Sequence, residues 1–361
     1  MAIATIDPTT GTTIREFDSL TEDEVDAALD RAARCFTDYR KTTFEQRAGW
    51  LRATADLLEA EADTVAAMMT QEMGKTLAAA KAETLKCARA FRHYAEHGAA
   101  MLADEPADAD AVGASKAYMR YQPLGVVLAV MPWNFPLWQA VRFIAPALMA
   151  GNVGVLKHAS NVPQSALYIS DVLRRAGFPD GCFQTLLIGS SMVEAIVRDP
   201  RVVAATLTGS EPAGRAVAAV AGDEVKHTVL ELGGSDPFIV MPSADIAAAA
   251  KTAVTARVQN NGQSCIAAKR FIVHTDVYDE FTAAFVDGFR ELVVGDPTDE
   301  ATDVGPLATE QGRDDLEKLV DGAVADGATV LIGGHRIDRP GWFYEPTVIA
   351  DITPDLSLIH I

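Results

Sequence analysis

The sequence predicts an α/β protein built on a parallel sheet, followed by a second α/β unit. From Gly125 onward, short apolar runs alternate with helical stretches, the rhythm of parallel strands joined by crossover helices. The same rhythm restarts at Phe238. Its 361 residues, 49% hydrophobic and 22% charged, exclude a disordered or fibrous chain. At about 150 residues per domain they allow two or three domains.

Taken in order, Thr21 followed by Glu24 forms a capping box ahead of Val25, Leu29, Ala32, Ala33 and Phe36 at helical spacing, which predicts a helix over 21–37. Ala, Leu, Glu and Lys then dominate 44–70 and 76–102, with Gly74 marking the join, so two long helices form a helical cover. At 105–110 the composition turns to Pro, Ala and Asp, and 117–122 alternates as a strand; this segment reads as a hairpin arm. Strands follow at 126–131, 153–157, 183–188, 204–208 and 228–232, separated by helices at 138–150, 163–175, 191–198 and 212–221. The second unit has strands at 238–241, 270–274 and 329–332 and helices at 245–259 and 277–292. The boundary falls near 231–235.

Charge and cysteine content narrow the function. Thirty-one Lys and Arg against 50 Asp and Glu leave a net charge of −19, which repels phosphate backbones and anionic lipid. Nucleic acid and membrane surfaces are excluded as partners. Cys35, Cys87, Cys182 and Cys265 show neither metal-ligand spacing nor a disulfide framework. No secretory signal opens the chain, and no apolar run reaches the roughly 18 residues of a membrane span. The expected location is the reducing cytoplasm.

Ligands of open parallel sheets bind beyond the carboxyl ends of strands, and four such ends carry unusual residues. Pro132-Trp133-Asn134-Phe135-Pro136 is a rigid turn that can aim the Asn134 amide; alternatively Asn134 only caps the next helix. Lys157 closes the second strand. Thr208-Gly209-Ser210, followed by Gly214, makes a strand, a turn and a helix N-terminus suited to a phosphate oxygen. No dinucleotide GxGxxG is present, and Gly74-Lys75-Thr76 lacks the first glycine of a P-loop. Glu231-Leu232-Gly233-Gly234 ends a strand with a carboxylate, or with a simple turn cap, beside glycines that permit close backbone approach. Asn260-Asn261-Gly262-Gln263-Ser264-Cys265 places one cysteine after a glycine turn. The other three cysteines read as packing residues.

PWNFP, the strand-ending Lys157, TGS with Gly214, ELGG and GQSC occur in the order and at the separations of NAD(P)-dependent aldehyde dehydrogenases. The chain resembles that family to about residue 355. Lys157-His158-Ala159-Ser160, GGSDPFIV (233–240) and NNGQSCIAAKRFIV (260–273) are most similar to its succinate-semialdehyde dehydrogenase branch. The resemblance implies a Rossmann-type cofactor domain over 1–104 and 123–231, an oligomerisation arm over 105–122 and a catalytic domain over 232–355. It also implies a homodimer or homotetramer.

The implied chemistry suits these groups. A thiolate adds readily to an aldehyde at neutral pH, and the resemblance makes Cys265 that nucleophile. The Asn134 amide and the Cys265 N–H would hold the oxyanion. Hydride loss to the nicotinamide leaves a thioester, and Glu231 would be the general base for its hydrolysis. By similarity Lys157 holds the adenosine ribose, Ser210 the pyrophosphate, and Trp133 lines the cofactor cleft; Gly209, Gly214 and Leu232 complete the cofactor set. Ser160 stands where many NAD-preferring members carry a glutamate, so a 2′-phosphate is accepted and the cofactor is NADP or NAD. Arg142 matches a position that grips the substrate carboxylate, or is a surface arginine of helix 138–150. Gln259 replaces a second arginine found in some relatives.

The implied reaction is oxidation of an aldehyde, succinate semialdehyde first among candidates. The alternatives are a broader aldehyde specificity, a thiol hydrolase lacking an evident histidine partner, and a non-catalytic protein that keeps the fold. The family continues beyond the equivalent of Asp355, so the catalytic domain is expected to be cut short. Leu356-Ser357-Leu358-Ile359-His360-Ile361 then reads as a non-native tail. Weak or no activity and poor stability are expected of the 361 residues alone.

Overall fold

A computed structural model describes residues 2–360. Ile361, the last residue of the expected tail, lies outside them. The chain divides into two compact units. The first holds residues up to 3, 16–65 and 82–231; the second holds 4–15, 66–81 and the residues from 232 onward. Residues 4–15 and 66–81, expected with the cofactor domain, thus cluster with the second unit.

The first unit is centred on a five-stranded sheet in the order Phe183–Thr185, Val153–His158, Val126–Met131, Val202–Thr208, His227–Glu231, with every pairing parallel. The central strands are buried almost throughout, because helices cover a parallel sheet on both faces and leave no solvent side to alternate with. From Val126–Met131 the chain winds outward through two strands, then returns to add the other two on the opposite side. The order therefore reverses between Val126–Met131 and Val202–Thr208, and that switch point is where open α/β sheets bind ligands.

Helix Glu22–Tyr39 begins with the expected capping box; Phe44–Ala60 begins with a second one, at Thr43 and Gln46, that was not anticipated. The single helix expected over 44–70 is two, Phe44–Ala60 and Ala62–Met73, broken at Glu61. The crossover helices Trp138–Ala150 and Pro163–Arg175 match their expected bounds. The 105–122 segment is a hairpin in which Glu105–Ala107 pairs antiparallel with Ala117–Met119.

In the second unit Asp236–Val240 and Ala268–Val273 pair in parallel. Phe281, Phe285 and Phe289 of helix Tyr278–Arg290 pack with Val240, Ile246 and Ala253. Their positions recur every turn, so one stripe of the helix faces the strands. Four elements were not expected: the paired strands Ile3–Asp7 and Thr12–Phe17, helix Glu310–Ala325 and strand Val348–Ala350. No helix among the described residues is long and apolar enough to cross a membrane.

Candidate active site

In the first unit the residues singled out from the sequence follow the carboxyl ends of adjacent strands. Asn134 lies in the turn after Val126–Met131, and its Oδ1 accepts from the Phe135 N–H at 3.1 Å. It does not cap the next helix. That task falls to the buried carboxylate of Glu83, whose Oε1 accepts from the Leu137 and Trp138 N–H groups at 2.9 Å each, satisfying donors every helix start leaves unpaired. His158 secures the other side of the turn. Its Nδ1 accepts from the Ala159 N–H at 2.9 Å, which leaves Nε2 to donate to the Pro136 carbonyl at 2.8 Å. Burial lowers this imidazole from its ordinary 6.5 to about 4, outweighing the Pro136 bond and assisted by the charge of Lys157. It is a neutral strut, not an acid.

Lys157, paired in register with Val130, is half-buried. Burial holds its ammonium below its usual range, and its side chain has no hydrogen-bond or ion-pair partner among the described residues. Ser160 lies in the turn that follows. Across the switch point, Ser210 caps helix Glu211–Asp223 by accepting from the Ala213 N–H at 3.5 Å. The Gly209 N–H donates to the Glu231 carbonyl at 3.0 Å, and the Gly214 N–H to the Ser210 carbonyl at 2.9 Å. Trp133 is half-buried in the same turn as Asn134.

Glu231 ends the outermost strand, in register with Thr208. Its Oε1 lies 3.3 Å from Arg142 Nη2, so Arg142 is not a bare surface residue. Both line a cleft of about 320 Å³ with Thr206, Thr208 and His227.

The second unit contains Cys265 and begins at Leu232. Cys265 is half-buried and follows three successive left-handed residues, Asn260 (φ 55°), Asn261 (φ 55°) and Gly262 (φ 70°). Two non-glycine residues in that region cost free energy, and side-chain bonds hold them there. Asn261 Nδ2 donates to the carbonyls of Gly74 at 2.7 Å and Pro306 at 3.0 Å, while its Oδ1 accepts from the Gly305 N–H at 3.0 Å. Lys269 Nζ donates to the carbonyls of Ser264 (3.2 Å), Cys265 (2.8 Å) and Ala267 (3.2 Å). Burial, then the charge of Arg257, depresses this ammonium.

What approaches the ELGG glycines is the Cys265 turn itself. A Cβ on Gly234 would lie 3.2 Å from the Cys265 carbonyl oxygen. At φ +76° the Gly74 carbonyl anchors Asn261, and a Cβ there would meet Pro306 at 2.8 Å.

Sequence reasoning missed Glu83, His158, Asn261, Gly74 and Lys269 as supports. His158 and Lys269 could have been suspected as polar residues next to a strand end and a cysteine turn. Glu83 carries no local signal, since its partners lie far along the chain.

The aldehyde dehydrogenase family model matches residues 1–360. Succinate-semialdehyde dehydrogenase [NADP(+)] 1 of Mycobacterium tuberculosis is 72% identical over 358 residues, covering 99% of this chain and 78% of that protein. Succinate-semialdehyde dehydrogenase [NADP(+)] of Mycobacterium avium is 72% identical over 359 residues, covering 99% and 76%. Among solved structures, succinic semialdehyde dehydrogenase from Streptococcus pyogenes in complex with NADP+ aligns with a TM-score of 0.96 at 37% identity, covering 99% of this chain and 78% of that one. With its five-stranded parallel sheet, its PWNFP and GQSC turns and these likenesses, the chain belongs to the aldehyde dehydrogenase family.

Proposed function

We propose that the chain carries the catalytic machinery of an NADP-dependent succinate-semialdehyde dehydrogenase. The observation that carries this reading is the 72% identity to relatives named for that reaction. Cys265 adds as a thiolate to the aldehyde carbon, forming the C–S bond and placing charge on the former carbonyl oxygen. The Asn134 side-chain amide and the Cys265 N–H receive that oxyanion; losing one such donor costs about 3 kcal/mol of barrier. When bound, NADP+ supplies the hydride acceptor for this adduct. Glu231 then takes a proton from water as the water oxygen attacks the Cys265 thioester, releasing succinate and the thiol.

The residues present suit NADP. Lys157 is a half-buried cation with no acidic partner, and Ser160 puts a hydroxyl where a carboxylate would repel a 2′-phosphate. Lys157, Ser160, Ser210, Gly209 and Gly214, with Trp133 and Leu232, would hold the cofactor at the switch-point end of the sheet. Arg142 would pair with the substrate carboxylate in place of Glu231. The 105–122 hairpin would add its exposed strands to a second copy, giving a dimer or tetramer.

Initial rates with NADP+ and NAD+ in parallel test the cofactor reading. They are measured on the chain and on a chimera continued after residue 355 by the C-terminal remainder of a matched relative. Turnover with NADP+ at least equal to that with NAD+ is expected; a large preference for NAD+ contradicts it.

A further inference from the structure

Away from the nucleophile, two cysteines of the first unit face each other. Cys35 lies near the end of helix Glu22–Tyr39, and Cys182 immediately precedes strand Phe183–Thr185. Cys35 is half-buried and Cys182 fully buried. Each thiol is near enough to shift the proton affinity of the other. Gly181 makes the approach possible: at φ +80°, a Cβ there would lie 2.7 Å from the Arg31 carbonyl oxygen and 3.2 Å from Cys35 Cβ. Only a glycine lets the backbone rest on this helix.

The contact is clamped on both sides. Gln184 Nε2 donates to the Ala28 carbonyl at 2.8 Å, and Arg31 Nε donates to Gln184 Oε1 at 2.9 Å. The Cys182 carbonyl accepts from the Gly154 N–H at 3.0 Å, fastening it to the sheet. Tyr39, buried on the same helix as Cys35, donates its hydroxyl to the Leu148 carbonyl at 2.9 Å. This frame holds residues 181 and 182 against the helix at Arg31 and Cys35, so bonding the two cysteines would need little backbone movement.

We propose that Cys35 and Cys182 are a reversible oxidation site for hydroperoxides, with Cys35 reacting first and Cys182 resolving. The Cys35 thiolate attacks a peroxide oxygen: an S–O bond forms, the O–O bond breaks and, with hydrogen peroxide, one water leaves. Cys182 then gives up its proton and attacks the Cys35 sulfur; the S–S bond forms, the S–O bond breaks and a second water leaves. Two thiols are oxidised by two electrons in all, and one peroxide is reduced.

The environments divide the labour. The neighbouring Cys182 thiol lowers the Cys35 thiol against burial and the charges of Asp180 and Asp38. Burial keeps Cys182 protonated and out of reach of solvent oxidants. The disulfide would staple the first helix to the edge strand of the cofactor sheet, and a thiol reductant would reverse it.

The test treats the protein with a few equivalents of hydrogen peroxide, blocks free thiols, and maps peptides by mass spectrometry without reduction. A linked Cys35–Cys182 peptide is expected, lost after dithiothreitol and absent in Cys35→Ser, whose half-exposed site tolerates the change. The link should persist in Cys265→Ser, which separates it from oxidation of the nucleophile. The linked form should also melt about 5 °C or more higher, because the bridge closes a long loop. Recovery of Cys35 as free thiol or sulfinic acid with no link, or linkage of Cys35 to a different cysteine, overturns the proposal.

Discussion

Arg142 Nη2 lies 3.3 Å from Glu231 Oε1, so the side chain proposed to bind the substrate carboxylate and the side chain proposed as general base are ion-pair partners. Both are partly exposed, and such pairs contribute little to stability. Their pairing matters for catalysis, because an incoming carboxylate competes with Glu231 for the same guanidinium. Arg142→Ala is expected to raise the KM for succinate semialdehyde at least tenfold more than the KM for an uncharged aldehyde of similar length. An equal effect on both substrates removes Arg142 from substrate recognition.

Lys269 gathers the carbonyls of Ser264, Cys265 and Ala267 on one ammonium. Lys269→Met keeps much of the apolar stem and removes the three bonds, leaving the Cys265 turn to relax. Alkylation of Cys265 by iodoacetamide should slow, and kcat should fall roughly 10- to 100-fold, as expected when a positioning contact is lost. Far-ultraviolet circular dichroism should be unchanged. An unchanged alkylation rate would show that the left-handed turn at Asn260 and Asn261 holds without it.

His158 makes stability depend on pH in a defined window. Its folded value of about 4 lies below the ordinary 6.5. Above pH 6.5 neither state binds the proton; as pH falls from 6.5 towards 4 only the unfolded chain does, so stability is progressively lost. The full effect is about 3 kcal/mol. Denaturant titrations of His158→Gln should show lower stability at pH 7.5 but a shallower decline between pH 6.5 and 4. An identical slope in both proteins would place the pH sensitivity elsewhere.

Phe285 touches Phe271, Phe281 and Phe289 at ring-centroid separations of 4.5, 5.5 and 4.8 Å. Phe285→Ala should cost about 3–5 kcal/mol, read as a lower melting temperature of the second unit. A loss below about 1 kcal/mol would mean that the core can collapse around the gap.

The parallel sheet was legible because Val126–Met131 and Val153–His158 are apolar runs bounded by Gly and polar turns. The helix starts at Thr21 and Thr43 follow from local capping chemistry. Bounds were missed where tertiary contacts decide them. Glu61 breaks the expected 44–70 helix and binds Tyr168 and Arg175 from a distant helix. The site's chemical residues stood out as polar groups at strand ends. Its supports did not: Glu83 meets Leu137, and Gly74 meets Asn261, only through the fold. Gly74 was read as a helix join and a failed phosphate loop, whereas its left-handed backbone anchors the Cys265 turn.

The central claim is that Cys265 oxidises succinate semialdehyde with NADP+. The most direct measurement follows the near-ultraviolet absorbance of NADPH in the chain and in the chimera that carries a matched relative's remainder after residue 355, with succinate semialdehyde as substrate, beside their Cys265→Ala variants. NADPH should accumulate with the cysteine and not with alanine. Turnover that survives Cys265→Ala, or a cysteine form that reduces NADP+ with other aldehydes but not with succinate semialdehyde, would contradict the account.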